Sequence, residues 1–404
     1  MRDLPKRAVA IDDSEVPALG VLLGTHAPAL LDTVLGEAKA HLRTAHVEQV
    51  RYVPAKSVTV QYKATVEWPG QGVRDETLVA SSGINMPDHV PTVDLGDTNI
   101  AVWRYPHDPF LPGLSMMADQ AKIRGILEQV GASADDVRLR RRAYRPGRRA
   151  VVEAVTPKHR LFVKAVRPKR TKALQDKHSA LSSRVPTPAS FGWQQELGLV
   201  VLEGLAGKTL RRSLEASEEL PDSNQLIALL DDLAGAGDAF GAISGPVARG
   251  PDHAGLLSRV TPDLFDRVSA VTEAFEHLRT GQDGLSHGDF HSSQILVRDA
   301  TVIGLIDIDT VGRGMRADDF AVLLAHLSTL SLDASSPKSV ERYGKHLIGA
   351  FDRLIDPSEL RLRVAAAVLG FATGPFRVQH KNWRLETERR VSLAERWIAS
   401  ARSS

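Results

Sequence analysis

The 404-residue chain contains no cysteine. Disulfides, thiolate nucleophiles and cysteine-ligated zinc are therefore excluded, and the absence agrees with a reducing compartment. Charge imbalance is also scarce: 51 basic against 49 acidic residues leave a formal net charge of +2. A protein that tracks a nucleic-acid backbone carries a larger excess of one sign, so no nucleic-acid partner is expected. No apolar run reaches the roughly 18 residues of a membrane span. The opening MRDLPKRAVAIDDSEVPALG lacks the apolar centre of a signal peptide. The expectations are no membrane partner and a cytoplasmic location.

What is present is an ordinary globular composition, 43% hydrophobic and 25% charged, in a chain too long for one core. Residues 1–20 read as a loose lead-in. A helix follows, with Leu30, Leu31, Val34, Leu35, Ala38 and Leu42 on one face. Val58, Val60, Tyr62, Ala64 and Val66 then alternate with polar residues as a strand, and residues 76–82 and 98–105 read as further strands. A Pro-rich loop spans 106–112, and a helix runs to about Val130, closed by Gly131-Ala132-Ser133. Residues 145–153 echo residues 53–61, each as strand, turn, strand, which hints at a duplicated hairpin. Strands at 161–166 and 198–203 flank a helix around 169–183. Beyond Gly207 helical spacing dominates, and the one β signal is a hairpin at 295–306. The fold class predicted is α+β with two lobes, a strand-rich half followed by a helical half.

That late hairpin lies in LSHGDFHSSQILVRDATVIGLIDIDT, which gathers His287, Asp289, His291, Gln294, Asp307 and Asp309. His287, Asp289 and Gln294 keep the spacing of a kinase catalytic loop, with Gln in place of Asn. Phosphoryl transfer needs a group to orient an acceptor hydroxyl and take its proton, and hard oxygen ligands for Mg²⁺. Asp289 is the candidate base; Gln294 and Asp307 are the candidate metal ligands, with Asp309 placed to share the ion. A lone Asp more often caps a turn, and it is the combined spacing that favours chemistry. Reading His287, Asp289 and His291 as zinc ligands of a hydrolase is weaker, because no second His-rich segment completes a site.

HGDFHSSQIL followed by IGLIDIDTVGRGMRADDFA resembles the aminoglycoside phosphotransferase / choline kinase-like family, which has a protein-kinase-like fold. The pattern falls on His287, Gly288, Asp289, His291, Gln294, Ile306, Asp307, Gly312, Gly314, Asp319 and Ala321, and the likeness covers roughly residues 135–404. Gln294 is similar to the amide of maltokinase-type sugar kinases. The resemblance implies ATP and Mg²⁺ as cofactors and a small-molecule hydroxyl as acceptor: a sugar, amino sugar or aminoglycoside. It implies that Lys164 grips the non-transferred phosphates, that Gly147 and Arg148 lie in the phosphate-covering turn, and that Glu203 and Leu205 offer backbone groups to adenine. His287 and Asp319 would brace the catalytic loop; His291, Arg377, His380 and Trp383 are substrate or support candidates.

The sequence departs from the family in two places. Between Lys164 and Glu196 the only acid is Asp176, so the usual helix carboxylate for the lysine is missing; either Asp176 substitutes or phosphate alone holds the lysine. The phosphate-covering turn has one glycine and ends a run of seven arginines in twelve residues, most of which read as a solvated strand face. These departures keep a pseudokinase or nucleotide-sensing module open as the alternative. Gly207-Lys208-Thr209 is not a P-loop, since the first glycine of that motif would fall on Leu202. The expected division is a cap over 1–134, an N-lobe over 135–203 and a helical C-lobe over 204–404.

Overall fold

The computed structural model describes residues 11–96, 98–132, 134–237, 240–333 and 338–403. The first half of the expected lead-in, and Ser133, lie outside them. The N-terminal part runs α1 (Ala18–Leu23), α2 (Ala27–Glu37), β1 (His41–Val53), β2 (Ser57–Trp68), β3 (Gly72–Ser82), β4 (Thr92–Asp94) and β5 (Asn99–Arg104). Then come α3 (Leu114–Met117), α4 (Gln120–Gln129), β6 (Arg138–Arg145), β7 (Arg149–Val155), β8 (Arg160–Val166), α5 (Pro168–Leu181), β9 (Ser190–Gln194) and β10 (Leu199–Glu203). Helix α2 stops at Glu37, short of the expected Leu42, which instead pairs with Val66 in β1. Strand β1 was not legible because its outer face is polar and mostly exposed.

The weak echo between residues 53–61 and 145–153 marks a structural duplication. The two sheets have strand orders β1-β2-β3-β5-β4 and β6-β7-β8-β10-β9, so in both the fifth strand inserts between the third and fourth. Tyr52 faces Val58 as Tyr144 faces Ala150, and the turns between them hold Ala55 at φ 55° and Gly147 at φ 65°. One aspartate anchors each turn. Asp13 Oδ2 accepts from Tyr52 Oη at 2.5 Å and from the Ala55 amide at 2.9 Å; Asp108 Oδ2 accepts from Tyr144 Oη at 2.9 Å and from the Gly147 amide at 2.7 Å. Burial works to raise Asp13, but its hydrogen bonds outweigh that and hold it below the ordinary range; around Asp108 burial prevails and the carboxyl stays raised. The copies differ where it matters for chemistry: residues 83–91 link β3 to β4, whereas α5 links β8 to β9.

Period-two alternation buries both faces of the first sheet. Val58, Val60, Tyr62, Leu78 and Ile100 pack under α1 and α2, in a core that also takes in Val260 and Phe376 from the second half. On the other face Val79, Ala101 and Trp103 join the core of the second sheet with Ile123, Leu127, Val152 and Val163, and Trp103 Nε1 donates to Tyr144 Oη at 3.1 Å. The first module is thereby packed against both of its neighbours.

The second half carries β11 (Lys208–Thr209), α6 (Leu210–Glu215), α7 (Ser223–Ala234), α8 (Pro246–Val260), α9 (Phe265–Phe275), β12 (Gly284–Ser286), β13 (Ile295–Arg298), β14 (Thr301–Leu305) and β15 (Gly312–Gly314). It ends in α10 (Arg316–Leu330), α11 (Lys338–Phe351), α12 (Pro357–Ala372), α13 (Gly374–Arg377) and α14 (Trp383–Ala401). The expected hairpin is β13–β14. It is not the only β structure here: β11 joins its edge and β12 pairs with β15. The helices enclose one core around Phe290, Phe320, Phe351 and Val364. The two-lobe α+β plan expected from the sequence is the one observed.

Candidate active site

The hairpin sets the distances. Ile295 pairs with Leu305, and the Ile306 amide donates to Gln294 O at 2.9 Å, so Gln294 and Asp307 emerge at the same end. Asp307 leaves the strand in the left-handed region at φ 59°, ψ 44°. For a residue other than glycine that conformation costs on the order of 1–2 kcal/mol, and it persists only where the surroundings hold it.

The loop before the hairpin is braced from behind. His287 is fully buried. Its Nε2 donates to Ile306 O at 3.1 Å, and its Nδ1 accepts the Asp289 amide at 3.3 Å. Both ring nitrogens are engaged, which removes His287 from any zinc site. Burial lowers its pKa and keeps the ring neutral. Asp319, at the start of α10, accepts the amides of His287 at 2.7 Å and Gly288 at 2.9 Å. Its burial pushes the carboxyl up to about 7, against the opposing pull of those amides. Gly288 is held at φ 74°, where a Cβ would come within 2.7 Å of Ile243 Cδ1. The result is a rigid loop whose Asp289 carboxylate is 43% exposed.

Beside it, His291 Nε2 lies 3.8 Å from Asp289 Oδ2 and 3.4 Å from Gln294 Nε2. The His291 ring stacks on His326 at 4.6 Å, and His326 takes a 3.1 Å hydrogen bond with Ser292 Oγ. Burial lowers both, His326 to about 3, so the pair is a neutral wall. On its far side His326 lines a cavity of about 840 Å³ with Arg211, Leu214, His380 and Arg390.

Across from this loop, β7 and β8 bring two cations onto two carboxylates. Lys164 Nζ lies 2.5 Å from Asp309 Oδ1 and 3.3 Å from Asp307 Oδ1. Arg149 forks Asp307 with two 2.8 Å bonds and reaches Asp309 Oδ2 at 3.1 Å. Burial alone would lower Lys164 and raise both acids. The opposite charges outweigh it, holding Lys164 above its ordinary value and both carboxyls below theirs. The missing helix carboxylate is thus replaced by Asp309. Asp176 does not substitute: it pairs with Lys172 at 2.6 Å on the exposed side of α5. From the same helix Lys177 donates to the carbonyls of Asp309 at 2.9 Å and Val311 at 2.5 Å. Sequence reasoning missed Arg149 and Lys177, the first hidden in a run of arginines and the second on a polar helix.

The other candidates fall in different places. The Gly147 amide, expected to be free for phosphate, is donated to Asp108; Arg148 is exposed at the turn tip. The Glu203 amide is donated to Ala189 O at 2.9 Å, so it does not face a ligand. At Leu205, among the described residues, no backbone hydrogen bond is made, and its N–H and C=O are available at the hinge. Lys208 pairs with Glu218 and Thr209 caps α6, which disposes of the P-loop likeness. Trp383 packs edge-on against Phe376 at 5.2 Å in the core of the first module, and His380 pairs with Glu386 at 2.9 Å. Arg377 stays exposed and feels the Asp289 charge.

Asp307 and Asp309 are hard-oxygen donors whose charge is compensated, and Gln294 emerges at the same end of the hairpin. Among the described residues no cluster of three or more His, Asp or Glu could hold a metal ion unaided. Such a set suits Mg²⁺, which takes one or two carboxylates and completes its shell with water and substrate phosphate.

The family model described as "Phosphotransferase enzyme family" matches residues 138–355. No curated protein matches the chain. Among solved structures, aminoglycoside phosphotransferase APH(4)-Ia is similar at 14% identity and TM-score 0.49, covering 70% of this chain and 99% of that one. The macrolide 2'-phosphotransferase MphH of Brachybacterium faecium is similar at 16% identity and TM-score 0.43, covering 67% and 97%. A streptomycin–ATP complex of APH(2")-IIa is similar at 13% identity and TM-score 0.47, covering 69% and 98%.

Proposed function

Since the chain belongs to the phosphotransferase enzyme family, we propose that it transfers the terminal phosphoryl group of ATP to a hydroxyl of a sugar-like small molecule. One observation carries this reading: a braced, accessible Asp289 opposite the Lys164–Arg149–Asp307–Asp309 cluster. Asp289 orients the acceptor hydroxyl and takes its proton as the new O–P bond forms and ADP leaves. His287 and Asp319 fix the loop so that Asp289 meets the acceptor without reorganising. Lys164 and Arg149 neutralise phosphate oxygens once nucleotide enters, and Leu205 offers the hinge groups to adenine.

Mg²⁺, when bound, would neutralise developing phosphate charge, and Gln294 and Asp307 are the residues to hold it, with Asp309 beside them. The resemblance of Gln294 to the amide of maltokinase-type kinases supports a sugar as acceptor. A cytoplasmic location, where ATP is available, completes the reading, with a cap over 1–134 on an N-lobe and a helical C-lobe.

The test is ATP consumption with Mg²⁺ over a panel of sugars, in wild type and Asp289→Asn. The variant should lose about 10²–10⁴-fold in turnover while its ATP affinity changes little. Undiminished turnover would remove Asp289 as the base. The competing pseudokinase reading draws on the Arg149 fork, which occupies both Asp307 oxygens. Nucleotide binding with no acceptor phosphorylated would favour it.

A further inference from the structure

Four arginines that lie near one another, two of them close enough to feel the Asp289 charge, have no partner of opposite charge among the described residues. Arg51 lies on β1 of the first module, Arg145 ends β6, Arg148 sits in the β6–β7 turn, and Arg377 ends α13. Among the described residues none of the four makes an ion pair or side-chain hydrogen bond. Their positions converge. Arg145 pairs across the hairpin with Arg149, which holds Asp307. Helix α13 packs against β1, with Phe376 in the core that contains Tyr52, and so brings Arg377 beside Arg51.

The electrostatics follow the same map. Arg148 is depressed to about 10, first by lost hydration and then by Arg51, Arg145, Arg149 and Arg377. Arg377 is lowered by lost hydration and by Arg145 and Arg51, and Asp289 partly offsets this; Arg145 also feels Asp289. All four residues are nevertheless exposed at the surface. Against them stands one carboxylate, since Asp307 and Asp309 are already matched by Lys164 and Arg149.

Unpaired like charges gathered from three separate parts of a fold cost stability, and such a cost is repaid when a ligand of opposite sign binds. Resting on the phosphotransferase reading, we infer that the acceptor is an anionic hydroxy compound, such as a sugar acid or sugar phosphate, held by Arg51, Arg145, Arg148 and Arg377. A polycationic aminoglycoside would meet repulsion here. The first module then has a direct part in the site: it supplies Arg51 to a cleft whose other walls come from the two lobes.

Two measurements decide it. In the first, the full chain is saturated with Mg²⁺ and a non-hydrolysable ATP analogue, and inorganic phosphate is titrated calorimetrically. Phosphate should bind beside the nucleotide, and Arg51→Ala with Arg377→Ala should weaken it at least tenfold, with analogue affinity and unfolding midpoint held. No binding, unchanged binding in the double variant, or phosphate that merely competes with the analogue overturns the inference. In the second, glucose, glucosamine, glucuronate and glucose 1-phosphate are compared as acceptors. Higher kcat/KM for the acidic members, lost in the double variant through KM, supports it; preference for glucosamine overturns it. Phosphate binding with no turnover of any acceptor would count against phosphotransfer and leave the anion site standing.

Discussion

At the scale of single residues, the site is a balance of charge in a confined space. Lys164 has two carboxylate partners and almost no water, so each partner matters more than a surface pair would. Asp309→Asn leaves Lys164 with the longer Asp307 contact alone. Stability should fall by about 3 kcal/mol, the scale of breaking a buried pair. Nucleotide affinity should fall about tenfold as the lysine loses its orientation. Denaturant unfolding and nucleotide titration of the variant check both; a neutral effect would mean that Asp309 is dispensable to the lysine. The sequence made Asp289, Gln294 and Asp307 stand out by spacing. It left Asp309 optional and Arg149 unassigned, because an ion pair spanning 158 residues has no local signature.

At the scale of elements, the β6–β7 turn shows how a weak sequence signal reports a strong structural one. Tyr-x-Pro followed by Ala55 or Gly147 recurs, because each turn needs a small residue at positive φ and an amide given to a buried aspartate. Two matches in a nine-residue stretch could not establish a duplication; the shared strand order and the twin Asp–Tyr anchors do. The second copy alone gained α5, Lys164 and Arg149. In the first copy the equivalent positions are Ser81, bonded to Thr59 at 2.7 Å, and Ser57. Gly147→Ala tests the turn. At φ 65° its Cβ would lie 3.1 Å from Phe110, and the variant should lose about 1–2 kcal/mol in denaturant unfolding. No loss would show that the turn tolerates a side chain as Ala55 does.

Over the whole molecule, burial of neutral histidines sets the acid limit. His178 and His253 are held at about 4 and His326 at about 3, each chiefly by lost hydration. Unfolded histidine titrates near 6.5, so between that pH and about 4 the unfolded chain takes up protons that the folded chain refuses. Stability is therefore full above about 6.5 and is lost as pH falls through the folded values. Asp319 works in the opposite sense: raised to about 7, its neutral form stabilises the fold increasingly as pH drops from 7 toward the ordinary 3.8. His287 and His291 are lowered in the same sense as the three histidines, and Asp108 and Asp318 are raised in the same sense as Asp319; the histidines outnumber the acids, so the thermal midpoint should fall from pH 7 to pH 4.5. It should fall less in His326→Gln; a flat profile would contradict the neutral assignment.

Sequence alone determined the reaction class, because the groups proposed to perform it sit on one loop and one hairpin whose spacing is a local property. It also determined the alternation of strand-rich and helical halves, since hydrophobic period is read over a few residues. Only tertiary structure decided which cation meets which carboxylate, that the first module repeats the second, and that Arg51, Arg145, Arg148 and Arg377 come near one another. Those facts depend on packing between segments far apart in the chain, where burial and charge act through space and leave no periodic trace. The hairpin names the chemistry, and the arginines gathered by the fold bear on what that chemistry acts upon.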